Sequence, residues 1–462
     1  MGENSLHRMT TPQPLTSAPR VGNLRWIVVA LLFFSTTLSY VDRQIIAVLK
    51  GPLQESFGWN EIDYSKLVTA FQFSYAIGYV VMGRFLDWVG VRAGLILAVA
   101  VWSAAAAAHG LISYIPRDTA LSQAALIVRF GGLPLCAFIV ARLALGIAEG
   151  ANFPAAIRAV AEWFPKRQRA LATGVFNAGS NVGALLTPLV IPFLAIRFGW
   201  AFAFYFSGAL GFLFVIAWAV FYRSPETHPS MTAGELALIT SDRELPTPRY
   251  PWLALLGVRE VQALCVARIF TEPSWTLYLF WGADFFSKRF HLDLKTFGIP
   301  LAIVYLMADF GSVGGGWLSS WLMSRGWSLN AARKTTMLVC ALCVVPIAAA
   351  PFVPDVWMAV GLMGLAAAAH QGWSANLYTL GSDTMPKNTT SSVTGIMGTA
   401  GALSAMVFSQ FNGYILQVTH GSYVILFAIG SLSYLAALGI VQLMVRRIEP
   451  VQLGGPVTVS GS

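Results

Sequence analysis

The chain has 462 residues, of which 56% are hydrophobic and only 11% charged, and its mean hydropathy is +0.64. A water-soluble globule carries about a quarter charged residues, so a soluble enzyme is excluded and a chain crossing the bilayer many times is expected. The net charge of +9 would suit nucleic acid only if clustered, and its placement along the chain assigns it to membrane topology instead.

The first 24 residues are polar and lack an apolar run before a small-residue cleavage site, which predicts a cytoplasmic tail over 1–24 rather than a leader. Windows of about 20 apolar residues, the length that spans hydrocarbon, then recur twelve times. They cover 26–48, 65–86, 93–114, 132–153, 171–195, 201–222, 262–286, 297–321, 335–353, 356–381, 391–417 and 422–444. A charged, proline-containing connection divides them six and six. The expected units are a first bundle over 25–222, a cytoplasmic connection over 223–260, a second bundle over 261–446 and a cytoplasmic tail over 447–462.

Lysine and arginine set the orientation. With the first segment inside, the cytoplasmic stretches hold 19 of them and the outer stretches 8, which predicts two cytoplasmic termini. The basic excess is therefore topogenic, and no nucleic-acid partner is implied. Cys340 and Cys343 have metal-site spacing but stand in an apolar window, where packing is expected. Gly311 and Gly314–Gly316 lack the Lys-Ser or Lys-Thr ending of a phosphate loop and read as a close helix contact. No metal and no cofactor is expected.

The first window contains Tyr40-Val41-Asp42-Arg43. An acid and an arginine there risk roughly 5–7 kcal/mol together at the bilayer centre, unless they face other helices or water and find partners. Arg43 is a candidate anion clamp, because a guanidinium stays charged and grips a carboxylate with two parallel hydrogen bonds. Tyr40, three residues earlier, shares its helix face. Tyr75 in the second window and Asn376 in the tenth are polar groups in apolar surroundings, and Trp373 accompanies Asn376. In the fourth window Arg142 and Glu149 are seven residues apart, about 20° short of two turns and about 10 Å in rise. They can bracket one group between them, and Asp42 is the candidate. An apolar setting disfavours a carboxylate's charged form, which suits Glu149 to load and unload protons. The alternative is a static arginine–carboxylate staple between the first and fourth helices.

The halves resemble each other. Phe164-Pro165-Lys166 followed by Thr173-Gly174 recurs as Met385-Pro386-Lys387 followed by Thr394-Gly395, an offset of 221. Gly83–Asp87 likewise parallels Gly316–Ser320. Such repeats mark transporters whose halves rock about a midplane site. The same offset carries Glu149 to His370, a residue able to titrate near neutral pH. His370 is expected either to face the cavity and help bind or tune coupling, or to be a packing histidine.

Gly83-Arg-Phe-Leu-Asp87-Trp-Val-Gly90-Val-Arg92 and Arg142-Leu-Ala-Leu-Gly146 resemble motifs of the major facilitator superfamily. Tyr40-Val-Asp-Arg43, Glu149-Gly-Ala-Asn-Phe-Pro154 and Trp163-Phe-Pro165 resemble its anion:cation symporter family. Trp275, Tyr278-Leu-Phe-Trp281, Gly314-Gly-Gly-Trp-Leu-Ser-Ser320 and His370-Gln-Gly-Trp-Ser-Ala-Asn376 are similar to the bacterial hexuronate transporters. The resemblance implies an all-α membrane fold with twelve spanning helices in two pseudo-symmetric six-helix bundles. It implies uptake of a small organic anion, a hexuronate, with protons across the bacterial inner membrane by a functional monomer. It favours Tyr40, Arg43 and Tyr75 as ligand contacts, Asp42 and Glu149 as the protonation pair, and Gly83, Asp87, Gly90 and Arg92 as a conformational latch. Trp88 and Asp284 depart from the motifs, and Asp284 stands where a Lys-containing pattern is expected. An aldonate, aldarate or aromatic acid is the alternative cargo. A membrane enzyme is disfavoured, since the chain has no His-Glu-x-x-His and no nucleotide loop.

Overall fold

A computed structural model of the chain describes residues 22–115, 127, 131–241, 252–385, 389–449 and 451. Twelve long helices stand among the described residues. In the first half they are α1 (Leu24–Val48), α2 (Glu61–Val89), α3 (Val91–Leu111), α4 (Leu133–Glu149, resuming as Asn152–Trp163), α5 (Lys166–Phe198) and α6 (Trp200–Phe221). In the second half they are α7 (Arg259–Phe290), α8 (Gly298–Ser324), α9 (Leu329–Val344), α10 (Val356–Thr384), α11 (Thr390–Val418) and α12 (Val424–Met444). Each expected window falls on one of them.

Local chemistry sets their ends. Asn60 and Asp63 form a reciprocal capping box ahead of α2, and Asp355 accepts from the backbone N–H groups of Trp357 and Met358 at the start of α10. Gly90 turns α2 into α3 at φ +85°, a conformation a side chain would resist. Two ends differ from expectation, and proline explains both. Pro154 has no N–H for the Gly150 carbonyl, so α4 breaks directly after Glu149 instead of ending near 153. Pro346 converts the expected end of α9 into a 3-10 turn over Val345–Ala349.

Nine described helical spans have the length and mean hydropathy to cross a membrane. The long helices outside this set are α2, α7 and α10. Large apolar side chains such as Phe193, Ile216, Phe310 and Val313 are exposed on the outside of the bundle, where lipid replaces water.

Small residues let the helices touch. A Cβ on Gly311 would come 2.1 Å from the Ala368 carbonyl oxygen, and one on Gly315 would meet Gly372 at 2.4 Å, so α8 and α10 run backbone to backbone. In the first half, α2 meets α4 at Gly78 against Ile147, and α1 meets α5 at Gly183 against Thr37.

Described hydrogen bonds and ion pairs between the halves gather at the end of the bundle opposite the described chain ends. There α2 packs on α11, with Gln410 donating to Thr69 at 2.7 Å, and the Tyr64 hydroxyl on α2 donates to the Phe280 carbonyl of α7 at 2.6 Å. Gly298 of α8 presses on the Pro188 backbone of α5.

Candidate transport site

Three side-chain links hold α1 against the break in α4. Ser35 donates to Asn152 Oδ1 at 2.7 Å, Asn152 Nδ2 donates to Thr36 Oγ1 at 3.2 Å, and Ser39 donates to Glu149 Oε2 at 3.0 Å. Arg43, one turn beyond Ser39, places its Nε 2.7 Å from the same Glu149 oxygen. Both members of this ion pair are buried. The Arg43 guanidinium also lies 4.1 Å from the ring centre of Tyr75 and 4.9 Å from that of Tyr40, in cation–π range of each. Tyr40, Arg43 and Tyr75 are thus brought together.

Reserve capacity remains in this cluster. Arg43 Nη2, Glu149 Oε1, both Asp42 oxygens and all three Arg142 guanidinium nitrogens are buried without a hydrogen-bond partner. Buried polar atoms are normally paired, and exceptions in a native fold call for a reason. Asp42 lies within electrostatic range of Glu149, Arg142 and Arg43. The spacing did not reveal that Arg43, adjacent to Asp42, takes the direct contact with Glu149.

Three further candidates, Asn376, Trp373 and His370, are packed within the second half, and the Trp373 indole Nε1 is buried without a hydrogen-bond partner. The Asn376 amide donates to the Gly315 and Gly372 carbonyls at 3.0 and 2.9 Å, and its oxygen accepts from Arg333 Nη1 at 3.3 Å. Both of its donors are spent on helix packing, so it has none left for a ligand. Trp373 is fully buried, edge-on to Tyr434 at 5.5 Å. His370 is buried, hydrogen-bonded through Nδ1 to the Tyr434 hydroxyl and stacked flat on Trp275 at 5.0 Å. That is the packing alternative for this histidine.

Of the latch residues, Arg92 donates to the Ala219 carbonyl near the end of α6 at 2.6 Å, and Gly90 makes the turn. Gly83 has open space around it. The Asp87 side chain lies outside what is described.

Two groups emerge that the sequence did not single out. On the second half, Arg268 Nη2 pairs with Glu272 one turn on at 2.7 Å, Nη1 donates to Ser374 at 2.9 Å, and the guanidinium lies 5.3 Å from the Tyr378 ring centre. The argument applied to Asp42 and Arg43, an acid and an arginine inside a membrane window, would have found this pair. At the sealed end, Lys50 Nζ lies 2.6 Å from Glu61 and 2.8 Å from Asp284, while Lys288 Nζ lies 2.6 Å from Glu61 and 2.9 Å from Asp284. Tyr423 also donates to Asp284. Two cations and two anions from both halves form a closed ring, which accounts for the acid at position 284.

A groove of about 330 Å³ between α7, α11 and α12, lined by residues such as Phe270, Leu277, Phe408 and Leu426, holds none of these charged groups.

Two helical bundles that seal at one end around buried ion pairs define a membrane transporter, not an enzyme. The family model of the Major Facilitator Superfamily matches residues 32–409, and the chain belongs to that superfamily. Among curated relatives, the hexuronate transporter of Escherichia coli (strain K12) is 28% identical over 401 residues, covering 85% of this chain and 88% of that one. The galacturonate transporter of Dickeya chrysanthemi is 28% identical over 333 residues, covering 71% and 90%. The probable galactarate/D-glucarate transporter of Escherichia coli (strain K12) is 25% identical over 460 residues, covering 96% and 99%. Among solved structures, the inward open xylose transporter XylE from E. coli has a TM-score of 0.69 at 15% identity, covering 91% of this chain and 96% of that one. A bacterial homolog to the human lysosomal transporter Spinster, in an inward-facing and unoccupied conformation, has a TM-score of 0.67 at 17% identity, covering 92% and 96%. These two likenesses concern the fold alone.

Proposed function

We propose that the protein carries a sugar acid, a hexuronate such as galacturonate or glucuronate, inward with protons across the bacterial inner membrane by alternating access. Its termini are then cytoplasmic and the sealed end is outer. One observation carries the reading: the buried Arg43–Glu149 pair at 2.7 Å, each member keeping an unpartnered polar atom.

The chemistry follows from that pair. A substrate carboxylate needs the Arg43 fork, and Glu149 already occupies one side of it. Adding an anion beside an ionised Glu149 would place two negative charges against one guanidinium in a buried site, which is costly. A proton on Glu149 removes that charge and frees Arg43 to take the substrate through both its nitrogens. Substrate and proton therefore favour each other's binding, which is the thermodynamic condition for symport. Asp42, unpartnered and within electrostatic reach of Arg142 and Glu149, is the second acid of the relay. Tyr40 and Tyr75 flank Arg43 and offer hydroxyls and ring faces to a sugar. The names of the relatives support a sugar acid as the cargo class.

The test is uptake of labelled galacturonate into proteoliposomes. Uptake faster with an acidic exterior and abolished by an uncoupler supports the reading; uptake indifferent to both refutes proton coupling. Competition by glucuronate, galactonate and glucarate ranks the alternative acids.

A further inference from the structure

We propose that the apolar groove between α7, α11 and α12 binds one acyl chain of a membrane phospholipid. The chain's ester carbonyl accepts a hydrogen bond from Asn412, and the bound chain braces α7 at its internal proline. The site stands apart from Arg43 and Glu149 and does not depend on which solute is carried.

The groove has a volume of about 330 Å³. Its lining includes Ile269, Phe270, Ile429 and Leu432, all exposed on the outside of the bundle, so it opens to the hydrocarbon of the bilayer. From Leu426 to Ala436 it follows α12 for ten residues, about 15 Å. With bonds of about 1.5 Å in a zigzag, about twelve carbons of an extended chain cover that length. One polar group interrupts the apolar wall. Asn412 on α11 is 3% exposed, and its Nδ2 has no hydrogen-bond partner. Polar neighbours on α11 are occupied: Ser409 donates to the Ala405 carbonyl, Gln410 donates to Thr69, and Gln417 accepts from the Glu61 N–H. The two serines of the groove are also taken, since Ser274 and Ser433 stand 3.4 Å apart and Ser433 donates to the Gly430 carbonyl at 2.9 Å. An amide donor left unmet among apolar side chains costs free energy that a lipid acceptor recovers.

The position of Asn412 fits an ester. Gln417, five residues beyond it, meets Glu61 of the ion-pair ring, and Tyr423, three residues before Leu426, donates to Asp284 of the same ring. Asn412 therefore lies about 7.5 Å below the ring, and Ala436 about 20 Å below it. A single donor near the ring end, with apolar wall deeper in, is the profile of a carbonyl followed by a hydrocarbon tail. The groove also follows the weak point of α7. Pro273 inside that helix has no N–H for the Ile269 carbonyl, and Ser404 of α11 donates to that carbonyl at 2.6 Å instead. Ile269, Phe270 and Pro273 all line the groove. A chain seated there packs against the proline break and holds in line the ring end of α7, which carries Asp284 and Lys288.

The test is native mass spectrometry of the purified full-length protein with two phosphatidylethanolamines. They are alike except that one has ester-linked chains and the other ether-linked chains, which lack the carbonyl. The wild type is expected to bind the ester lipid at least fivefold tighter. Asn412→Leu should abolish that preference, and Ala436→Phe, which puts a ring into the deep end of the groove, should weaken both lipids at least fivefold. Spin labels on α1 and α7 at the ring end should report longer distances in Ala436→Phe than in the wild type. Equal binding of the two lipids by the wild type overturns the site by itself, whether or not the variants fold. Binding untouched by Ala436→Phe means lipid held on the general surface only, and a dimer that Ala436→Phe dissolves means that the groove seats a second copy; either result overturns the proposal. Unchanged distances in Ala436→Phe remove the bracing of α7.

Discussion

Glu61 at the start of α2 and Lys288 near the end of α7 are 227 residues apart in the chain, yet their charged atoms lie 2.6 Å apart. With Lys50 and Asp284 they close one end of the protein, and Lys50 and Asp284 are buried. Removing one member of a buried ion pair costs about 3–5 kcal/mol because it strands the other. Asp284→Asn leaves Lys50 and Lys288 to share Glu61. The conformational equilibrium is therefore expected to shift toward opening at this end, because only the sealed state contains the ring. Spin labels on α1 and α7 at that end should report longer distances in Asp284→Asn than in the wild type; an unchanged distribution would mean that the apolar contacts alone set the closed state.

Arg43→Lys keeps the positive charge but loses the planar fork. Substrate affinity is expected to fall at least tenfold, equivalent to about 1.4 kcal/mol or more. Calorimetric titration with the transported acid checks it, and near-wild-type affinity would show that charge alone suffices.

Glu149→Gln fixes a neutral group beside Arg43. Counterflow and binding are expected to persist, whereas concentrative uptake driven by a pH gradient is lost. Normal accumulation by this variant would remove Glu149 from the coupling mechanism.

His370→Gln should leave the pH dependence of uptake unchanged, because the imidazole is sealed between Trp275 and Tyr434. The expected effect is on stability: a lower melting temperature through the lost stacking and hydrogen bond, about 1–3 kcal/mol. A shifted pH profile with unchanged stability would restore a coupling role to His370.

Gly311→Ala forces apart two helices that touch through their backbones, since the added carbon would lie 2.1 Å from the Ala368 carbonyl oxygen. Overpacking of this kind costs about 1–3 kcal/mol. A reduced melting temperature with the monodisperse peak retained on size-exclusion chromatography is the expected result.

By itself the sequence determined the class and layout of the molecule. Apolar windows of membrane length can only become helices, because every backbone group must be satisfied within the segment. The expense of Asp42 and Arg43 in such a window marked a candidate site, and helical spacing put Tyr40 beside Arg43 and Arg142 in line with Glu149. Spacing along one helix fixes which residues share a face, but not which face of another helix meets it. Tertiary structure alone decided that Glu149 pairs directly with Arg43, that Asn376 spends its donors on α8, and that His370 is packed beneath Tyr434. It alone brought Asp284 to Lys50 and Lys288 to Glu61, since those contacts depend on how two bundles hundreds of residues apart come together.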